Sequence, residues 1–266
     1  MSGDTRRAAN YRPPGFLEKS GGSIIFFAGY FLVILFPVAL GFFILGDIPG
    51  GVAGFISKAF ALTAFAIFSM QVALGSRLKT LDRMRGLDRV LRFHQTMAKI
   101  GLGMIIAHPI LIALEYDDFS FLGFSGGWQL ALGKIALMIL IIGVAAALWR
   151  AKFGLDYNLW HLFHKGMIAV IGLGFVHSMS IGSNLQNAEM RAFWWALLAT
   201  SVGVFLYRNI AFPLFVRKSY DIFSVDEEAR GVYTLKMSPR EGTVPRYKPG
   251  QFMFLKLKRP GRLSEE

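Results

Sequence analysis

Six long apolar runs dominate the chain, at about 22–45, 52–75, 90–114, 128–149, 159–181 and 191–212. Each holds about 20 residues or more, and a helix of that length crosses a hydrocarbon core of about 30 Å. Short polar segments separate them. The pattern predicts an all-α membrane protein, a bundle of six transmembrane helices. The first run is too long for a signal-peptide core and lacks a small-residue cleavage site, so it is expected to remain in the protein.

After Pro213 the pattern changes. Residues 220–257 alternate apolar and polar in short runs, with strands expected at 231–237 and 252–258. Pro239, Gly242, Pro245, Pro249 and Gly250 punctuate them as turns. The expected domains are therefore an N-terminal tail (1–20), a six-helix membrane domain (21–215) and a β segment (216–266). That last segment is too short to close a barrel alone. The sequence stops just after a strand, so it is expected to be a fragment of something longer.

Composition agrees with the helical reading. The 266 residues are 54% hydrophobic and only 17% charged, well below the usual charge of a soluble domain. The absence of cysteine rules out disulfides, thiolate haem ligands and iron–sulfur clusters bound by this chain. The net charge of +12 is not a nucleic-acid signature, because the basic residues flank apolar runs. Arg6, Arg7, Arg12 and Lys19 precede the first run. Arg77, Lys79, Arg83, Arg85, Arg89 and Arg92 follow the second. Arg150 and Lys152 follow the fourth, and Arg208, Arg217 and Lys218 close the sixth. The alternate loops carry Glu115, Asp117 and Asp118 or are nearly neutral. The positive-inside rule then puts both termini in the cytoplasm, in a bacterial inner membrane or a plasma membrane.

On this frame four histidines form two pairs. His94 and His108 are fourteen residues apart on the third run, and His164 and His177 thirteen apart on the fifth. Either spacing is about 20 Å of helix axis. The two runs point the same way, so His94 matches His164 in depth near the cytoplasmic face, and His108 matches His177 near the outer face. Imidazoles on facing helices are good axial ligands for haem iron. The pattern points to two stacked b-type haems. One spacing resists this: fourteen residues return to nearly the same helix face, while thirteen miss it by about 140°. A distortion at Gly172 and Gly174 would correct it.

Other residues carry weaker signals. His161 sits closer to the boundary and is read as interfacial, with a role in place of His164 as the alternative. Met104, Met167 and Met179 are possible ligands but give no matched pair. Gly-Leu-Gly recurs at 101–103 and 172–174, either for close approach of a flat macrocycle or as ordinary transmembrane glycine. Lys99 and Lys134 are candidate partners for haem propionates, with snorkelling as the alternative. Lys165 is equally explained by orientation. Arg191, Glu115, Asp117 and Asp118 lie at the outer face, where they either shape an acceptor site or simply solvate loops.

The paired histidines, the stretch Trp160-His161-Leu162-Phe163-His164 and the tail Tyr247-Lys248-Pro249-Gly250-Gln251-Phe252 together resemble the ferric reductase and NADPH oxidase superfamily, over about residues 20–260. That family has six helices and two haems, with histidine pairs on its third and fifth helices. A tryptophan four residues before the inner ligand favours His164 over His161. Pro-Gly-Gln-Phe is similar to the start of a ferredoxin-reductase-type FAD domain. The family's following isoalloxazine-binding segment and nicotinamide domain are not in this sequence.

The resemblance implies an oxidoreductase, a ferric-chelate reductase or NAD(P)H oxidase. It would move electrons from cytoplasmic NAD(P)H and FAD through the haems at His94/His164 and His108/His177 to an external ferric chelate or dioxygen. FAD and NAD(P)H would be bound by the full-length protein. Two rivals stand beside it. One is a haem-binding membrane subunit feeding a separate periplasmic reductase. The other is a non-enzymatic proton or cation channel with histidines as a relay.

Overall fold

The structure, a computed structural model, describes residues 16–46, 51–123, 126–216, 218–240, 242 and 255. Eight α-helices lie among them: α1 (Phe16–Val38), α2 (Val52–Gly75), the short α3 (Lys79–Arg85), α4 (Leu87–Tyr116), α5 (Trp128–Trp149), α6 (Tyr157–Lys165), α7 (Ile168–Ile181) and α8 (Ala188–Leu206). Six segments are long and apolar enough to cross a membrane: Gly21–Ile44, Val52–Gly75, Leu87–Tyr116, Trp128–Trp149, Tyr157–Ile181 and Ala188–Phe215. The protein is an integral, multi-pass membrane protein with a mostly helical fold, as the apolar runs predict. The second and fourth spans coincide with their expected limits at both ends.

The helix ends follow local chemistry. α1 contains Pro37 and widens into a π turn, Ala39–Ile44. α8 runs into a second π turn, Tyr207–Val216, which contains Pro213. Proline lacks an N–H and crowds the preceding turn, so widening beside it relieves the backbone. Gly86, at φ +83°, separates α3 from α4. Asp156 caps α6, accepting from the N–H groups of Asn158 and Leu159 at 2.9 and 3.0 Å.

α2 is the central helix. It packs along α4 and also meets α1, α7 and α8. The main core lies around it and includes Tyr30, Ile34, Ala66, Ile67, Leu74, Met97, Met190 and Trp194. Trp194 is stacked on Phe65 at 4.8 Å and 14°, and its Nε1 donates to Ser178 Oγ at 3.0 Å. Ser201 Oγ reaches from α8 to the Ser69 carbonyl. A second, smaller cluster joins Ala136 and Leu140 of α5 to Val170 of α7. α7 packs along α5, whereas α4 and α7 make few close main-chain approaches to each other.

A separate compact unit begins at Phe215. Its described part is an antiparallel hairpin of β1 (Tyr220–Ala229) and β2 (Val232–Pro239), with Ile222 opposite Met237. Gly231, at φ +78°, makes the turn. The ion pairs Lys236–Asp226 and Arg240–Asp221, at 2.7 and 2.8 Å, are exposed and add little. β2 answers the strand expected at 231–237. The strand expected at 252–258 and the Pro-Gly-Gln-Phe segment lie outside the described residues.

Candidate functional site

α4 carries His94 near its start and His108 near its end. His164 lies on α6 and His177 on α7. All four residues are half-buried. The structure brings His94 and His164 together, with ring centroids 6.0 Å apart and planes at 71°. Two imidazoles on opposite sides of one metal ion, each about 2 Å from it, would have centroids about 6 Å apart.

The 140° problem is eased by a break in the fifth span. The span is two helices, α6 and α7, joined at Gly166 and Met167. Main-chain bonds there tighten to three-residue steps: Met167 N–H to His164 O at 3.2 Å, Ala169 to Gly166 at 3.0 Å and Val170 to Met167 at 3.1 Å. A 3-10 step advances about 120° per residue instead of 100°, so each such step recovers about 20° of the mismatch. The expectation of a distortion at Gly172 and Gly174 is corrected, because α7 runs unbroken through both.

The outer members of the two pairs are held in one tautomer. Ser57 Oγ lies 3.0 Å from the His108 carbonyl and 2.9 Å from His108 Nδ1, which is also 3.2 Å from the Ser57 carbonyl. One proton assignment satisfies all three contacts. The hydroxyl donates to the His108 carbonyl, and Nδ1–H donates to the Ser57 oxygens. His177 Nδ1 lies 2.8 Å from the Gln129 carbonyl, an acceptor only, so it too carries its proton on Nδ1. In both rings Nε2 is left with its lone pair. That is the state of a metal-ligating imidazole whose other nitrogen is anchored to a carbonyl.

Residues 60–176 match a family model described as ferric reductase-like transmembrane component. This stretch is similar to that family. It takes in His94, His108 and His164 and ends one residue before His177. No curated protein gives a significant match to the chain. The match supports the resemblance to the ferric reductase superfamily drawn from the sequence over residues 60–176 and does not reach the tail.

Within the ferric reductase-like domain, Trp160 stacks on His164 at 5.2 Å and 24°, and the Arg150 guanidinium lies 5.6 Å from the Trp160 ring. His161 turns to Tyr157 instead, stacked at 5.6 Å and 13°, so His164 is the ring that meets His94. One glycine of each Gly-Leu-Gly piece packs on α2, while Gly103 and Gly172 have open space where a side chain would be. Gly101 rests on Ile67 and Phe68, and Gly174 on Phe65. Met167 Sδ fills the space over Gly143.

Lys99 is exposed, and at 100° per residue it sits about 160° round α4 from the His94–His108 face. Lys134 Nζ donates to the Gly123 carbonyl. Glu115, a candidate for an acceptor site, accepts from the Gly54 N–H at 2.9 Å. Its carboxylate lies over Gly51 and Gly54 at the start of α2, where the helix dipole favours a negative charge. Asp118 caps the turn Phe119–Leu122 through Ser120 N–H at 2.8 Å. Hydrogen bonds from Ser120 hold its carboxyl below the usual carboxylate range.

Sequence reasoning missed Ser57, Gly75, Gln129 and Gly133, which touch the histidines from α2 and α5. Ordinary residue types at those positions gave no composition signal.

Proposed function

We propose that the chain is the electron-conducting membrane part of an oxidoreductase. Two b-type haems would be held at different depths, one by His94 and His164 and the other by His108 and His177. The observation that carries this reading is the pairing itself. The ring of His94 on the third span meets that of His164 on the fifth, and Nδ1–H of His108 and of His177 is tied to a carbonyl, which leaves Nε2 with its lone pair. Among the described residues no group of three or more His, Cys, Asp or Glu is placed to hold a bare metal ion. A macrocycle that brings its own four nitrogens asks the protein only for two axial ligands. A flat ligand held by these pairs would lie between α4 and α7, which make few close main-chain approaches to each other.

Bound haem would supply one-electron iron chemistry. The chain's own residues ligate, orient and insulate. Ser57 and the Gln129 carbonyl fix the tautomers of His108 and His177. Trp160 and Arg150 hold the plane of His164. Leu102, Ile105 and Leu173 pack with Leu140 and Val170, giving an apolar layer between the two levels that excludes water. Lys134, beside Gly133 and close to His177, is the cation suited to a propionate. Lys99 is not, from the opposite face.

The basic segments put the His94 end and both termini on the cytoplasmic side. Electrons would come from NAD(P)H through FAD in the full-length protein and leave to a ferric chelate or dioxygen. A proton relay is disfavoured, because it needs imidazoles that exchange tautomers, and carbonyls pin Nδ1–H of His108 and His177.

The test is the purified protein in detergent, with oxidised and dithionite-reduced spectra and a pyridine haemochrome count. Two haems per chain with a bis-histidine b-type spectrum is the expected result. Colourless protein from haem-supplemented cells would reject the reading.

A further inference from the structure

Two pentapeptides on different helices share one pattern: Gln71-Val72-Ala73-Leu74-Gly75 at the end of α2 and Gln129-Leu130-Ala131-Leu132-Gly133 at the start of α5. Each meets one of the four histidines. A Cβ built on Gly133 would come within 2.7 Å of His177 Cε1 and 2.8 Å of Nδ1. Four residues earlier, the Gln129 carbonyl accepts from that same Nδ1 at 2.8 Å. A Cβ on Gly75 would lie 3.5 Å from His94 Cε1 and 3.8 Å from Nδ1. Gln71 stands four residues earlier on the same helix, as Gln129 does before Gly133, and His94 Nδ1 is buried without a hydrogen bond.

Helix geometry explains the pattern. A helical carbonyl has two lone pairs, and the N–H four residues on uses one. The second is normally covered, because the side chain at that later position leans back toward the helix N-terminus. Glycine there uncovers it and admits a flat ring against the backbone. The glutamine side chain has no part in this. Gln71 Nε2 and Oε1 are buried without a partner, and it is the main-chain oxygen of Gln129 that accepts from its ring.

We propose that Gln-x-Ala-Leu-Gly in this protein is a ligand seat, used once at each haem level. Gly75 and Gly133 are positioning residues that open a main-chain carbonyl to Nδ1–H of His94 and His177, and so direct Nε2 of each ring at the haem iron. The seats are unequal. The Gly133 seat is closed tightly on its ring, and the Gly75 seat is looser. The proposal rests on the two-haem reading above.

The test uses the full chain in detergent. Electron paramagnetic resonance of the two low-spin ferric haems is read together with potentiometric titration and haem count. Gly133→Ala should shift or abolish one low-spin signal and one midpoint potential, leaving the other haem unchanged as proof of folding. Gly75→Ala should do little, since its Cβ fits, while Gly75→Val should disturb the other haem. Gln129→Ala and Gln71→Ala should leave both signals in place. Gly101→Ala, which crowds Ile67 and Phe68 instead, should not single out either haem.

The proposal is overturned if Gly133→Ala leaves both signals unchanged, or if Gly101→Ala reproduces its pattern. It is equally overturned if Gln129→Ala matches Gly133→Ala. If Gly133→Ala does not accumulate, Gly75→Val against Gln71→Ala decides the matter in the same way. Wild-type protein without haem would reject the two-haem reading instead, a distinct outcome.

Discussion

The two sides of the bundle are built differently. Around α1, α2 and α8 the interior is filled by side chains: Trp194 stacks on Phe65, Met190 and Ile67 are fully buried, and Ser201 ties α8 to α2. Beside it the buried core shrinks to a small cluster joining Ala136 and Leu140 of α5 to Val170 of α7, and α4 and α7 make few close main-chain approaches to each other. A helix pair that cannot fill its own interface needs something else to fill it. Under the two-haem proposal the first side is a scaffold complete in itself, while the second would be finished by its ligand.

The largest effects should come from removing ligands on the open side. His94→Ala and His177→Ala should each lose one of two haems in the haemochrome count, and each should remove a different spectral component. Loss of both haems in either variant would mean that the two sites are not independent.

Next in size is a cut into the filled side. Trp194→Ala removes a buried ring, its stack on Phe65 and its bond to Ser178. It should lower stability by about 3 kcal/mol or more, seen as a fall in melting temperature, with the haem spectrum of the folded fraction unchanged. A spectrum that changes before stability does would blur the division between the two sides.

Smaller still is Ser57→Ala. It deletes the hydroxyl that bridges His108 to its own carbonyl but leaves the Ser57 main-chain acceptor. A cost of about 1 kcal/mol in stability is expected, together with a shifted midpoint potential for the outer haem alone. Unchanged potentials would mean that the main-chain carbonyl suffices.

The smallest effect tests the α3 end of the scaffold. Burial pushes the Asp82 carboxyl above its usual range, against the pull of Arg77 and Arg208, and its Oδ1 is buried without a hydrogen bond. A carboxyl raised by folding favours the folded state when protonated, and that advantage is lost as pH rises through its folded-state value. Asp82→Asn should therefore raise the melting temperature slightly at neutral pH and not at acidic pH. An equal effect at both would remove ionisation as the cause.

How much of this is legible in the sequence depends on range. The six spans are legible because an apolar run of about 20 residues is rare in a chain that does not cross a membrane. The histidine pairs are legible because depth depends only on counting along a helix. The break at Gly166–Met167 is not: it lies in an apolar run with no proline, and the glycine pair Gly172 and Gly174 nearby is the more conspicuous candidate for a hinge. The role of Glu115 is equally hidden. Its partner, the Gly54 N–H, is sixty-one residues away in sequence, and an outer-loop carboxylate looks the same whether it caps a helix or waits for a substrate. The glycines beneath the rings leave one trace in the sequence, a pentapeptide pattern that occurs twice.

The most direct test of the open side being finished by its ligand is hydrogen exchange on haem-replete and haem-depleted protein, read helix by helix. Haem should slow exchange selectively in α4, α5, α6 and α7, with α1, α2 and α8 equally protected in both preparations. Uniform protection across all helices regardless of haem, or a loss that is just as large in α1 and α8, would contradict the account.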